Sequence, residues 1–319
     1  MNETPKTKSE AVKPEVALIA GPTASGKSAV AVDLALALEK DGRRGVVINA
    51  DSAQVYADLR VLSARPSDDE MRGVEHRLFG AWHGAQACSA AEWAKRAAKE
   101  ITDVHEAGGV PILVGGTGMY IDVLLNGIAP IPAIDPNVRE DVRAMPVEES
   151  YAALRTEDPA RAKALSPADT QRIARALEVV RSTERTLGAW QAHKEGGIAD
   201  TVTLHPAILL PPREWLYERC DRRFAIMTQD GAIGEVKALL ARSLDSGLPV
   251  MRAIGVPEIA QYLRGAITLA EASEIASQAT RNYAKRQFTW FRNQPPEDWQ
   301  RVESQNYDIE GIFASLLRH

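Results

Sequence analysis

Cysteine is nearly absent from this chain. The two thiols, Cys88 and Cys220, show no C-x-x-C or Cys/His spacing, so neither a disulfide framework nor a structural zinc site is supported. Long apolar runs are missing too: nothing approaches the roughly 18 apolar residues that a membrane span needs. Residues 1–13 are polar and lack the hydrophobic core of a signal peptide, so a disordered leader and a cytoplasmic location are expected. No repeat or low-complexity tract occurs. A formal net charge of −5 argues weakly against a polyanionic partner, although net charge hides its own distribution. What remains is an ordinary globular composition, 45% hydrophobic and 25% charged. At 319 residues the chain has room for one large domain and a smaller one.

The strongest signal present is Gly21-Pro22-Thr23-Ala24-Ser25-Gly26-Lys27-Ser28, which obeys the phosphate-loop spacing G-x-x-x-x-G-K-[ST]. A short apolar strand, Val16 to Ala20, precedes it. The segment from Ala29 to Glu39 follows, with Val30, Leu34 and Leu38 at helical spacing. Strand, glycine loop and helix form the context that the motif requires. The glycines let successive N–H groups turn inward, and the helix N-terminus adds partial positive charge. Lys27 is expected at the terminal phosphate and the Ser28 hydroxyl on Mg²⁺. The competing reading, a plain glycine turn beside a structural lysine, does not account for the matched flanks.

Up to about residue 130 strands and helices alternate, which predicts an α/β fold with a parallel P-loop-type sheet. A second strand, Gly45 to Asn49, ends at Asp51-Ser52. Ala90 to Ala107 reads as a helix. Val110 to Val114 is a buried strand that runs into Gly115-Gly116-Thr117-Gly118, with another helix starting near Met119. Between 131 and 200 strands vanish. There Asp135-Pro136, Asp158-Pro159 and Ser166-Pro167 each read as a capping side chain before a proline at the first helical position. Ser166 and Asp169 approximate a capping box, and 169–182 is amphipathic on Ile173, Leu177 and Val180. The α/β pattern resumes at Ala207. The expected organisation is therefore a leader over 1–13, a core over 14–130 and 201–319 with a helical C-terminal part, and a helical insertion over 131–200.

Ligands of open α/β sheets collect at the carboxyl ends of the strands. The phosphate loop, the segment 51–54 and the segment 115–118 all fall there. Asp51 can act as a base or hold a metal, or it can simply cap the next segment. The Gly115–Gly118 loop is either a second anion nest or a turn. No carboxylate ends the strand at Val114, which weakens a hydrolysing ATPase or GTPase reading. Further on, 278–293 contains Arg281, Lys285, Arg286 and Arg292 and no acid. At about 100° per residue, Arg281, Lys285 and Arg292 lie within roughly 40° of one another. Tyr283, Ala284, Trp290 and Phe291 occupy another face, suited to a core. With no compensating carboxylate in the segment, a polyanionic partner is expected over a merely solvated face.

Taken together, GPTASGKS at 21–28, DSAQVY at 51–56, SARP at 63–66, GGTGMY at 115–120, QRIARALEV at 171–179, RAIGVPE at 252–258 and YAKRQFTWFR at 283–292 resemble the bacterial tRNA dimethylallyltransferases, also called tRNA isopentenyltransferases. The resemblance runs from about Val16 to Gln294. It implies that the loop holds the diphosphate of dimethylallyl diphosphate rather than ATP. The prenyl group would pass to the exocyclic N6 amine of the adenosine 3′ of the anticodon. By resemblance Thr23, Lys27 and Arg223, the last within RCDRRF at 219–224, serve the diphosphate, and Asp51 is the base. Asp51, Ser52, Ala53 and Gln54 would meet the flipped adenine. Thr117, Arg139, Gln171, Arg172, Ile173, Ala174, Arg175, Arg252, Gly255, Lys285, Arg286 and Arg292 would contact the tRNA anticodon stem-loop. A monomer needing Mg²⁺, and no membrane, completes the expectation. Departures occur at Glu75-His76-Arg77-Leu78-Phe79, at Ile254-Gly255-Val256-Pro257 and at Glu184, and no Cys/His module follows residue 294. The alternatives are a kinase that uses the loop for ATP and a non-catalytic RNA-binding module that keeps the loop as a relic.

Overall fold

The computed structural model describes residues 13–317, so residues 1–12 of the expected leader lie outside the described residues. Six strands form one sheet: β1 (Glu15–Ala20), β2 (Gly45–Asn49), β3 (Glu75–Arg77), β4 (Val110–Gly115), β5 (Thr203–Leu209) and β6 (Gln300–Val302). Their order is β3-β2-β4-β1-β5-β6, and every ladder is parallel. The unbroken apolar runs explain this. Val16 to Ala20 and Val46 to Ile48 are fully buried, as strands covered by helices on both faces must be. β5 starts at Thr203, ahead of the expected Ala207, because its pairing with β1 extends down to Glu15.

The register sets up the site. Ala20 pairs with Gly115 on one side and Ile208 on the other, while Asn49 pairs with Val114. The loops after β1, β2 and β4 therefore emerge side by side. Helix α1 (Lys27–Lys40) buries Val30, Leu34 and Leu38 against Ala17, Ile19, Ile112 and Val114. Helix α2 (Ala90–Glu106) is opened by a Ser89–Glu92 capping box, and its buried Trp93 donates Nε1–H to the Asn49 carbonyl at 3.0 Å. Helix α3 (Gly118–Asn126) follows β4 directly. Later come α4 (Arg213–Gln229), α5 (Ala232–Ala241) and the long α6 (Leu269–Asn293).

The chain divides into two compact units. One comprises the chain up to Leu124 together with the chain from Ala199 onward; the other is Leu125–Ile198. The second unit is helical, with its own core of Val142, Leu154, Ile173, Ala176 and Leu177. Asp135 and Asp158 cap helices as their Asp-Pro pairs predict, accepting from the amides of Asn137 (2.8 Å) and Arg161 (3.0 Å). Ser166-Pro167 does not start a helix. It opens a turn closed by the Asp169 amide on the Ser166 carbonyl, and Asp169 itself caps the helix Thr170–Thr183 through the Arg172 amide at 3.2 Å. Aspartate caps as well as serine does, and here it stands at the spacing that reaches an orphan amide. Among the described residues no helix is long and apolar enough to cross a membrane.

Candidate active site

The phosphate loop leaves β1 at the buried Gly21 and Pro22 and enters α1 through Gly26, whose φ of 92° lies where side chains are strained. Ala24 also has positive φ, 64°, so the cradle holds local strain at a non-glycine residue. Ser25 is fully buried, and its hydroxyl has no hydrogen-bond partner among the described residues. Lys27 folds back to donate from Nζ to the Pro22 carbonyl at 2.6 Å. Burial lowers its pKa to about 8; the Asp51 charge opposes that shift and the Arg223 charge adds to it. Ser28 is exposed in the first turn of α1.

A cavity of about 610 Å³ opens over this loop. Thr23, Ala24, Gly26, Lys27 and Ser28 line one wall, and Asp51, Ser52, Ala53 and Gln54 line another. Arg219 and Arg223 enter from α4, and Tyr283 and Arg286 from α6. Leu59, Leu62, Phe224 and Met227 supply apolar surface. Arg223 donates from Nη2 to the Thr23 hydroxyl at 2.7 Å, and Arg219 donates from Nε to the Ala24 carbonyl at 2.9 Å. Burial also lowers the pKa of Arg223. Lys27, Arg219, Arg223, Arg252 and Arg286 thus line the cavity against the carboxylates of Asp51 and Glu70, which leaves it short of negative charge.

That carboxylate is held firmly. The Asp51 amide donates to Oδ1 of the fully buried Asn49 at 2.9 Å, and the Asp51 Oδ1 accepts from the Ala53 amide at 2.9 Å. This is an Asx turn, so the helix-cap alternative for Asp51 does not stand. The Ser52 amide donates to the Thr117 hydroxyl at 2.9 Å, and that hydroxyl donates to Ser52 Oγ at 3.1 Å. The Thr117 amide is taken by the Ala50 carbonyl and is not offered to an anion, and a Cβ at Gly115 would stand 2.1 Å from that same carbonyl oxygen, so the turn packs tightly on the loop after β2. Burial raises the pKa of Tyr283, whose hydroxyl meets Thr117 and Ser52, so the phenol stays neutral. Gln54 donates its amide to the Ser63 and Ala64 carbonyls at 3.2 and 2.9 Å, bracing the opposite wall.

Several expected contacts fall elsewhere. Lys285, Arg286 and Arg292 are exposed on α6, and Arg286 also borders the cavity. Arg281, however, is paired with Asp221 of α4 at 2.5 Å, so the carboxylate missing from the segment 278–293 comes from another helix. Arg252 is exposed at the cavity rim. Gly255 is buried: its amide donates to Glu258 at 2.8 Å, and a Cβ there would stand 2.6 Å from Leu62, so it serves packing and presents no surface to RNA. In the helical unit Arg139, Gln171 and Arg172 are exposed and Arg175 is half-buried. Arg172 and Arg175 pair with Asp169 and Glu178 respectively. Ile173 is fully buried in that unit's core, with the half-buried Ala174 packed against it, so Ile173 cannot touch a ligand. Helical periodicity requires one such inward position in any five-residue stretch.

Three contributors escaped the sequence reading. Arg219 stands four residues before Arg223 and so shares its helix face, a spacing that was there to be used. Gln287 is the polar member of the inward row Ala284, Gln287, Phe291. Tyr307, which donates its hydroxyl to the Ser25 carbonyl at 2.5 Å, carries no local signal at all.

The molecule is a phosphate-loop α/β protein whose cavity sets a braced carboxylate opposite two half-buried cations, Lys27 and Arg223. A family model described as IPP transferase matches residues 54–294, and the chain belongs to that family. It is 64% identical over 319 residues, the whole of both chains, to a tRNA dimethylallyltransferase of Erythrobacter litoralis. It is 51% identical over 302 residues to a tRNA dimethylallyltransferase of Zymomonas mobilis, covering 95% of this chain and 93% of that one. Among solved structures it is similar to the full-length tRNA isopentenylpyrophosphate transferase from Bacillus halodurans, at 32% identity and a TM-score of 0.67 over 95% of this chain and 94% of that one. It is also similar to a eukaryotic dimethylallyltransferase acting on tRNA, at 26% identity and a TM-score of 0.73 over 87% and 69% of the two chains. None of these relatives is named a kinase.

Proposed function

We propose that the protein transfers a dimethylallyl group from dimethylallyl diphosphate to the N6 amine of the adenosine 3′-adjacent to the anticodon in tRNA. The products are N6-isopentenyladenosine and diphosphate. The observation that carries this reading is the shared cavity: Lys27, Arg223 and the glycine loop occupy one wall, and the braced Asp51 another.

The chemistry follows from the charges. As the allylic C–O bond breaks, its electron pair leaves with the diphosphate, and the departing anion is what the site must stabilise. Lys27, Arg223 and the inward amides of the loop do this in a largely desolvated setting. Among the described residues no cluster of three or more His, Cys, Asp or Glu side chains is set to hold a metal. Mg²⁺ would therefore be bound through the Ser28 hydroxyl together with the diphosphate, neutralising developing charge. Adenine's amine is a weak nucleophile because its lone pair conjugates with the ring. Asp51 accepts the amine proton as the new C–N bond forms. The base must leave its stack to enter the cavity. Leu62, Phe224 and Met227 supply an apolar wall suited to the prenyl chain. Arg252, Lys285, Arg286 and Arg292 on the core, with Arg139, Gln171, Arg172 and Arg175 on the helical unit, grip the RNA, and the enzyme works as a monomer.

The test is radiolabelled dimethylallyl diphosphate with unmodified tRNA and no ATP. Label should enter the RNA. Phosphorylation of an acceptor by ATP, with no label transferred, would overturn the reading.

A further inference from the structure

We propose that Gln287 is a positioning residue for the transfer reaction, fixing the diphosphate cradle against the loop that supports the base; the inference rests on the prenyl-transfer reading above. Gln287 lies on the inward face of α6 between Ala284 and Phe291 and is only 5% exposed. A polar amide at that depth is unfavourable unless both of its ends are bonded. Both are. Its Oε1 accepts from the Thr23 amide at 2.7 Å, and its Nε2 donates to the Gly116 carbonyl at 2.7 Å. The orientation is forced, because a backbone amide only donates and a carbonyl only accepts.

The two partners belong to the two halves of the site. Thr23 is in the phosphate loop and receives Arg223 on its hydroxyl. Gly116 adjoins Thr117, whose hydroxyl braces Ser52 beside Asp51. One bonded path therefore runs from the cationic cradle through Gln287 to the base. Gly116 is shaped for this bridge: a Cβ there would stand 2.4 Å from Nε2 and 3.1 Å from the Gly21 carbonyl oxygen. In a transfer reaction the separation of leaving-group site and base governs rate, and a misplacement of about 1 Å can cost about 10²-fold.

Two variants test the inference, with label transfer by the wild-type protein run in parallel. Gln287→Met matches the side chain's length but makes neither hydrogen bond; kcat should fall about 10²-fold while RNA affinity stays within about twofold. Gln287→Glu can accept from Thr23 but cannot donate to Gly116 while ionised. Once protonated, its carboxyl regains the donor and mimics the amide, so its kcat relative to wild type should recover as pH falls. Asp51, Glu70, Lys27, Arg219, Arg223, Arg252 and Arg286, the charged groups lining this cavity, are common to both proteins, so the ratio isolates position 287. Wild-type kcat and donor KM in a folded Met variant would sink the proposal. So would a Glu variant whose activity ratio is flat with pH, and that readout decides even where the Met variant fails to fold. Loss of label transfer by the wild-type protein itself would instead strike the reading beneath it.

Discussion

Lys27 is the residue whose charge the site can least take for granted. Buried beside another cation, it titrates at about 8 in place of the usual 10.5. A lysine with a depressed pKa is charged below that value and neutral above it, and only the charged form attracts a diphosphate. The donor kcat/KM, which reports the free enzyme, should therefore decline as pH rises through about 8. A profile flat up to pH 10 would show that the donor does not depend on this charge. Asp51→Asn keeps the size of the side chain and its acceptor for the Ala53 amide but removes the base. Single-turnover transfer should slow by about 10²–10⁴-fold with tRNA affinity unchanged. Unchanged turnover would remove Asp51 from the chemistry. Both residues were legible in the sequence, because the motif around Lys27 and the strand end at Asp51 are local patterns. The Lys27 shift was not, since it comes from what surrounds the side chain.

At the scale of elements, α6 separates cations that the sequence grouped together. Lys285 and Arg292 are exposed on it, whereas Arg281 is paired with Asp221. Lys285→Ala and Arg292→Ala should each weaken RNA binding and reduce the slope of log K against log salt by about one. Arg281→Ala should leave that slope alone and lower stability by about 0.2–1 kcal/mol, the range for an ion pair still open to solvent. Titration by fluorescence anisotropy at several salt concentrations distinguishes the three. α5 has a different task. The Glu235 carboxylate accepts from the amides of Arg60, Val61 and Leu62 at 2.8, 2.8 and 3.0 Å, holding the turn whose Leu59 and Leu62 line the cavity. Glu235→Ala leaves those amides to water, and a loss of about 1 kcal/mol is expected in denaturant melts. Such a carboxylate in an otherwise ordinary helix gives no sign in the sequence, because its three partners are backbone groups far along the chain.

Among the described residues one core lies around the sheet and another within Leu125–Ile198, where Ile134, Val179 and Leu187 form a smaller cluster beside it. Leu177 is fully buried in the second, and Leu177→Ala should cost about 2–5 kcal/mol. Calorimetry should then show weaker RNA binding with pyrophosphate affinity unchanged, since the phosphate loop belongs to the other unit; a parallel loss of both would tie the cradle to the helical core. By itself the sequence determined the strand–loop–helix at 15–40, the apolar strands, the aspartate caps and the helical texture after residue 130. Each of these depends on neighbours a few positions apart, through backbone conformation, hydrophobic period or an orphan amide. Only the tertiary structure decided that β4 lies between β2 and β1, which brings three loops into one site. It alone buried Ile173 and Gly255, gave Arg281 a partner 60 residues away and set Gln287 and Tyr307 on the phosphate loop. The period of a helix tells which side chains turn inward; what an inward polar group meets there is supplied by another element, and no local pattern records it.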